Sequence, residues 1–201
     1  MRGARPCLLI QARRYPSQLE IITLGPLTNL ALALRSDPDI TTLIKQVVIM
    51  GGAFTVDGNV SPAAEANIYG DPLAADIVFS SGLNIKCIGL DVTNSIKIGQ
   101  HELDKLASAG RLSSSAKLCS RVSQYYQNFY RETWKTEAIS LHDPAAVAYF
   151  LKPECFEFRK TSVRVIRDGT RRGVGLFLLF FFKKRRRRRF SLSLAAAAAV
   201  L

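Results

Sequence analysis

Cysteine, histidine and long apolar runs are all scarce in this chain of 201 residues, and each scarcity removes a class of function. Cys7, Cys87, Cys119 and Cys155 lie far apart and form no CxxC pair. That spacing argues against a disulfide framework or a zinc site and reads as reduced thiols. Histidine occurs twice, as His101 and His142. The motifs GxxxxGK[ST], GxGxxG, HExxH and GxSxG are absent, which leaves nucleotide, metalloprotease and serine-hydrolase readings without support. The first apolar run, Cys7 to Ile10, is too short for a signal peptide. Val174 to Phe182, apolar apart from glycine, is about half the length that spans a bilayer. A soluble, cytoplasmic protein is the expectation.

What the chain does hold is ordinary for a globular protein, 48% apolar and 22% charged residues, and its length is enough for one domain with a buried core. The formal charge of +12 points toward nucleic acid or an anionic membrane. Seven of those charges, however, form one run, Lys183 to Arg189, and four more arginines lie among the first fourteen residues. The middle of the chain is nearly neutral. No nucleic-acid or membrane partner is therefore expected, apart from nonspecific contacts of the basic tail.

Strand-like and helix-like segments alternate from about Tyr15. Glu20 to Leu24, Gln46 to Met50, Ile85 to Leu90 and Thr161 to Ile166 read as strands. Leu27 to Leu34, Asp39 to Ile44, Asp71 to Ser80, Gly99 to Ala109, Ser113 to Lys135 and Asp143 to Phe150 read as helices. In Ser113 to Lys135, the residues Leu118, Val122, Tyr125 and Phe129 recur at helical spacing and predict one apolar face. Such alternation predicts an α/β fold with a mostly parallel sheet flanked by helices, and ligand loops after Leu24, Met50 and Leu90. Residues 1–14 read as an irregular leader, 15–176 as the partial domain, and 177–201 as a low-complexity tail of apolar, polybasic and poly-alanine blocks. Two readings of the tail compete: a genuine polybasic segment that binds nucleic acid or anionic lipid, or a translated artefact that builds no packed core.

The chemistry concentrates in Ile49 to Pro72, IMGGAFTVDGNVSPAAEANIYGDP. A strand runs into Gly51-Gly52 and a loop that sets out Asn59, Glu65 and Asn67. Two amides and a carboxylate within nine residues can hydrogen-bond a polyol from several directions. Each also has a structural use as a turn or loop cap. Three Asp-Pro pairs, at Asp37, Asp71 and Asp143, suit helix starts with proline at the first position. His142, directly before Asp143, could donate a proton near neutral pH, while His101 reads as solvated surface.

LGPLTNLALAL (Leu24 to Leu34), VVIMGGAF (Val47 to Phe54), GNVSPAAEANIYGDP (Gly58 to Pro72) and LHDP (Leu141 to Pro144) together resemble the inosine/uridine-preferring nucleoside hydrolases. The Ala-Glu-Ala-Asn form around Ala66 looks like the plant-type members. The resemblance implies hydrolysis of the N-glycosidic bond of ribonucleosides, with Asn59, Glu65 and Asn67 as ribose-binding residues and Met50 facing the substrate. It implies a calcium ion held in part by the carbonyl at Leu24 and the carboxylate of Asp143, and His142 as the leaving-group acid. It also implies a homo-oligomer for the complete domain.

The family's Asp-rich N-terminal motif has no counterpart here, because no aspartate precedes Asp37 and Glu20 is the one carboxylate before Leu24. The expectation is a nucleoside-hydrolase-like but incomplete fold, a fragment whose isolated chain is inactive. Asp91, following the third strand, is the first suspect for a further site carboxylate. A catalytically dead ribonucleoside-binding protein or partner subunit and a polybasic-tail binder are the alternatives.

Overall fold

The computed structural model describes residues 3–109, 113–167, 175–178 and 199–200. The polybasic run Lys183 to Arg189 lies outside the described residues, so the readings placed on it do too. The chain divides into two compact units, Met1–Val92 with His142–Leu201, and Thr93–Leu141.

The first unit is a three-stranded parallel sheet in the order β1 (Leu19–Thr23), β2 (Ile44–Met50), β3 (Ile85–Ile88). Connections of helix and loop carry the chain from each strand to the next, as parallel pairing demands. The central strand is the driest part: Val47, Val48, Ile49 and Met50 are buried. Side chains of this kind contribute about 1.5–3 kcal/mol each when fully buried. Helices α1 (Ala4–Arg14), α2 (Thr28–Ser36) and α5 (Pro72–Phe79) add Ala12, Leu30, Ala31, Leu34, Ala75 and Val78 to one core with Val47, Ile49 and Ile85. Short α3 (Ile40–Leu43) leads into β2, and α9 (His142–Leu151) follows the second unit.

Residues 1–14 read as irregular, yet Ala4–Arg14 is helical. An isolated helix of this length is marginal in water. Here Ala12 is fully buried in the core, and Arg13 Nε and Nη2 both donate to Asp37 Oδ2, at 3.1 and 2.5 Å. Packing thus supplies what the local pattern lacks.

After α9 come β6 (Phe158–Arg159), β7 (Ser162–Val165), β8 (Gly175–Leu178) and β9 (Ala199–Val200). β7 pairs with β8 antiparallel and β6 with β9 parallel. β8 and β9 use main-chain pairing, which needs no side-chain pattern.

In the second unit, β4 (Lys97–Ile98) pairs with β5 (Ile139–Ser140), and α7 (Gln100–Ala109) packs on α8 (Ser114–Trp134). Leu103, Tyr130 and Ile139 form its small core. The expected apolar face of α8 is the exposed one: Leu118, Val122, Tyr125 and Phe129 are 44 to 79% accessible. The helix instead buries Ser120, Gln127 and Tyr130. Gln127 Nε2 donates to the Glu137 carbonyl at 2.9 Å and to Gln100 Oε1 at 3.3 Å, which satisfies the amide inside the unit.

Candidate active site

The buried carboxylate of Glu65 ties the start of the loop after β2 to its end. Gly52 adopts φ +86°, a conformation that glycine takes without a steric cost. Its N–H donates to Glu65 Oε2 at 3.0 Å, and its carbonyl accepts the Leu90 N–H at 2.8 Å. The same Glu65 Oε2 accepts the Ile68 N–H at 3.2 Å, which caps the short helix α4 (Ala66–Gly70). Glu65 is only 2% exposed. Burial pushes its carboxyl above the usual range, the N–H groups of Asn67, Gly52 and Ile68 oppose that rise, and the nearby Asp143 charge adds to it. Glu65 and Asp143 therefore belong to one electrostatic neighbourhood.

The two amides converge on the same place. Asn59 Oδ1 accepts the Ala66 N–H at 2.9 Å, tying the loop to the first turn of α4. Asn67 Nδ2 donates to the Met50 carbonyl at 3.1 Å and lies 3.5 Å from the Met50 sulfur. Met50 is buried at the end of β2. Asn59 uses its oxygen locally and Asn67 its nitrogen, and the opposite end of each amide makes no hydrogen bond to a described residue.

His142 and Asp143 open α9. Burial holds the His142 imidazole below its usual 6.5, and the Asp143 carboxylate pulls it back up. Burial raises Asp143 in turn, and His142 opposes that. The Asp143 carboxylate accepts no hydrogen bond from a described residue and feels the His142 imidazole beside it. It lines a groove of about 390 Å³ together with Leu24, Pro144, Val147, Ala148 and Leu151. Thr23 Oγ1, one residue before Leu24, is buried without a hydrogen-bond partner among the described residues. The pair expected at a calcium ion, Leu24 and Asp143, is thus brought together.

That pair does not make a calcium site. Calcium takes six to eight oxygens, and no group of three or more His, Cys, Asp or Glu placed to hold a metal exists among the described residues. Two other carboxylates are already engaged. Glu20, on β1, accepts from Lys45 Nζ at 2.6 Å and from Gln46 Nε2, and the Lys45 bond holds it below the usual carboxylate range. Asp91, in the first turn of α6 (Leu90–Thr93), accepts three hydrogen bonds from Phe54 and Thr55. The sequence marked Asp91 by its place after β3 but not its use as a loop clamp.

Asn59, Glu65, Asn67 and Asp91 stand on the loops that follow β2 and β3, at the carboxyl ends of a parallel sheet, where α/β proteins bind ligands. The chain belongs to the inosine-uridine preferring nucleoside hydrolase family, whose pattern residues 4–189 match. It is 41% identical over 170 residues to a probable uridine nucleosidase 2 of Arabidopsis thaliana, covering 84% of this chain and 52% of that protein. It is also 41% identical over 146 residues to the pyrimidine-specific ribonucleoside hydrolase RihA of Salmonella newport, covering 72% of this chain and 46% of the relative. A solved plant nucleoside hydrolase, PpNRh1, superposes with a TM-score of 0.84 at 35% identity, covering 98% of this chain and 61% of that one. The chain thus spans about half the length of the curated relatives it matches.

Proposed function

We propose that this chain serves the hydrolysis of a ribonucleoside of the uridine or inosine type to ribose and free base. The carrying observation is that Asn59, Glu65 and Asn67 are fixed around the end of β2, with the Glu65 carboxyl in the field of Asp143. Amide and carboxylate groups held in place can bind vicinal hydroxyls with little ordering cost, and positioning of this kind supplies several kcal/mol of barrier reduction. Cleavage passes through an oxocarbenium-like sugar. His142 donates a hydrogen bond or proton to the departing base. Since burial keeps it below its usual value, the neutral imidazole dominates at pH 7 and the acid form is a minority.

Calcium dependence is part of the proposal for a protein whose further carboxylates would join Leu24 and Asp143; when bound, the ion would supply an activated water. The four cysteines are free thiols, which supports a reducing compartment, the cytoplasm. A homo-oligomer is proposed for the complete domain. The test is ribose release from uridine and inosine, with calcium, by the chain and by a version extended upstream with an Asp-rich strand. Release by the extended protein, reduced at least a hundredfold by His142→Ala, is expected from the weight of general acid catalysis. No release by the extended protein overturns the assignment.

The absence of a metal-ligand cluster among the described residues favours a second reading, a ribonucleoside-binding subunit without catalysis. Calorimetric binding of uridine by an extended protein that releases no ribose would decide for it.

A further inference from the structure

We propose that Asp91 is a positioning residue for the sugar, clamping the loop between β2 and α4 so that Asn59 and Glu65 present their polar groups to it. The inference rests on the ribonucleoside reading above. Asp91 Oδ2 accepts the Phe54 N–H at 2.9 Å, and Oδ1 accepts the Thr55 N–H at 2.6 Å and the Thr55 hydroxyl at 2.5 Å. Hydrogen bonds to an ionised acceptor are roughly twice as strong as neutral ones. Both oxygens are engaged with the loop.

The middle of the loop is held within itself, by the Gly58 N–H on the Pro62 carbonyl and the Val60 N–H on the Ala64 carbonyl, both at 3.2 Å, and the clamp acts on the stretch before it. Between Gly52 and Glu65 there is no helix or strand, and regular pairing is limited to one isolated bridge, Ser61 with Ala64. One end is fixed by Glu65 and by Asn59 on the first turn of α4. The other end is fixed at Phe54 and Thr55. There the Phe54 ring lies over two glycines: a Cβ at Gly52 would sit 2.9 Å from it and a Cβ at Gly89 3.0 Å. The Gly52 carbonyl takes the Leu90 N–H, one residue before Asp91. The start of α6 is therefore tied to the loop twice over, by Leu90 through Gly52 and by Asp91 through Phe54–Thr55. Asn59 stands four residues beyond Thr55, between the clamp and its own bond from the Ala66 N–H, so the clamp sets one of the two ends from which its amide is placed. The carboxylate touches no sugar itself; it acts through the loop.

The test compares wild type, Asp91→Ala, Asp91→Asn and Thr55→Val by calorimetry with ribose and by amide hydrogen exchange. For Asp91→Ala the ribose Kd rises about tenfold with unchanged stoichiometry, and protection at Phe54 and Thr55 is lost. Asp91→Asn, which keeps one acceptor oxygen, recovers part of the affinity. Thr55→Val weakens binding about two- to threefold alone and adds nothing in the Asp91→Ala background, the non-additivity of partners in one contact. A merely structural role predicts a lower melting temperature and reduced stoichiometry with the Kd of the folded fraction unchanged, and that result overturns the proposal. So does retained protection at Phe54 and Thr55 in Asp91→Ala. Should Asp91→Ala fail to fold, an unchanged Kd in Thr55→Val is the overturning result. If wild type gives no heat with millimolar ribose while the exchange data still show the clamp, the ribonucleoside reading fails, and the positioning role falls with it.

Discussion

Replacing Glu65 by alanine removes the one oxygen, Oε2, that accepts both the Gly52 N–H at 3.0 Å and the Ile68 N–H at 3.2 Å. Loss of the cap on α4 costs about 1 kcal/mol. Leaving a buried donor without a partner costs about 1–3 kcal/mol more. The expected destabilisation is therefore about 2–4 kcal/mol, a fall in melting temperature of roughly 5–15 °C for a chain of this size. Glu65→Gln separates capping from charge, because an amide oxygen can occupy the same position. The folded pKa of Glu65 lies above its usual 4.5, with burial as the main cause. A carboxyl raised on folding contributes stability that is fully present below the unfolded value and lost as pH rises through the folded one. Wild type thus loses stability above about pH 4.5 that the Gln variant keeps. Melts followed by circular dichroism from pH 4 to 8 should show Glu65→Gln at or above wild type at pH 7, with the advantage shrinking toward pH 4. Both variants should lose ribose affinity. Glu65→Ala melting with wild type at pH 7, or Glu65→Gln falling as far as Glu65→Ala, would refute the reasoning.

Gly52→Ala places a Cβ 2.9 Å from the Phe54 ring on a residue at φ +86°, and should cost at least about 1–2 kcal/mol in urea unfolding. Gly25→Ala, whose Cβ meets nothing within 4 Å, should stay within about 0.5 kcal/mol of wild type in the same experiment. In an NMR titration His142 should change protonation below pH 6.5, and Asp143→Asn should move it further down, since the Asp143 charge now holds it up; an upward shift would contradict the assigned causes. The 201-residue chain by itself should release no ribose from uridine with calcium present, because one carboxylate and one carbonyl cannot complete the ion's shell; calcium-dependent release abolished by Asp143→Ala would mean that another carboxylate completes it.

Much of the fold was legible because its signals are local. Apolar runs bounded by glycine and proline gave β1, β2 and β3 within a few residues, and Asp71-Pro72 marked α5, where Asp71 Oδ1 indeed takes the Ala74 N–H at 3.0 Å. The loop carrying Asn59, Glu65 and Asn67 was legible as a motif, since three polar groups at fixed spacing need one backbone path to converge. What the sequence left open was partnership across the fold. The three Asp-Pro pairs look alike, yet Asp71 caps a helix and also accepts the Thr28 hydroxyl at 2.6 Å, Asp37 pairs with Arg13 twenty-four residues away, and Asp143 lines a groove beside Leu24. Asp91 read as a spare site carboxylate and is bonded to a loop 36 and 37 residues earlier. Periodicity on α8 established that an apolar stripe exists but not which side the unit covers, and the covered side is that of Gln127 and Tyr130. Helix α1 has little local support and forms because Ala12 and Arg13 meet groups supplied by distant segments. Spacing along the chain determines which elements can form and which side chains share a loop; which carboxylate caps, clamps or stays open to a ligand depends on donors far away in sequence, and only the packed structure brings those donors within hydrogen-bond reach.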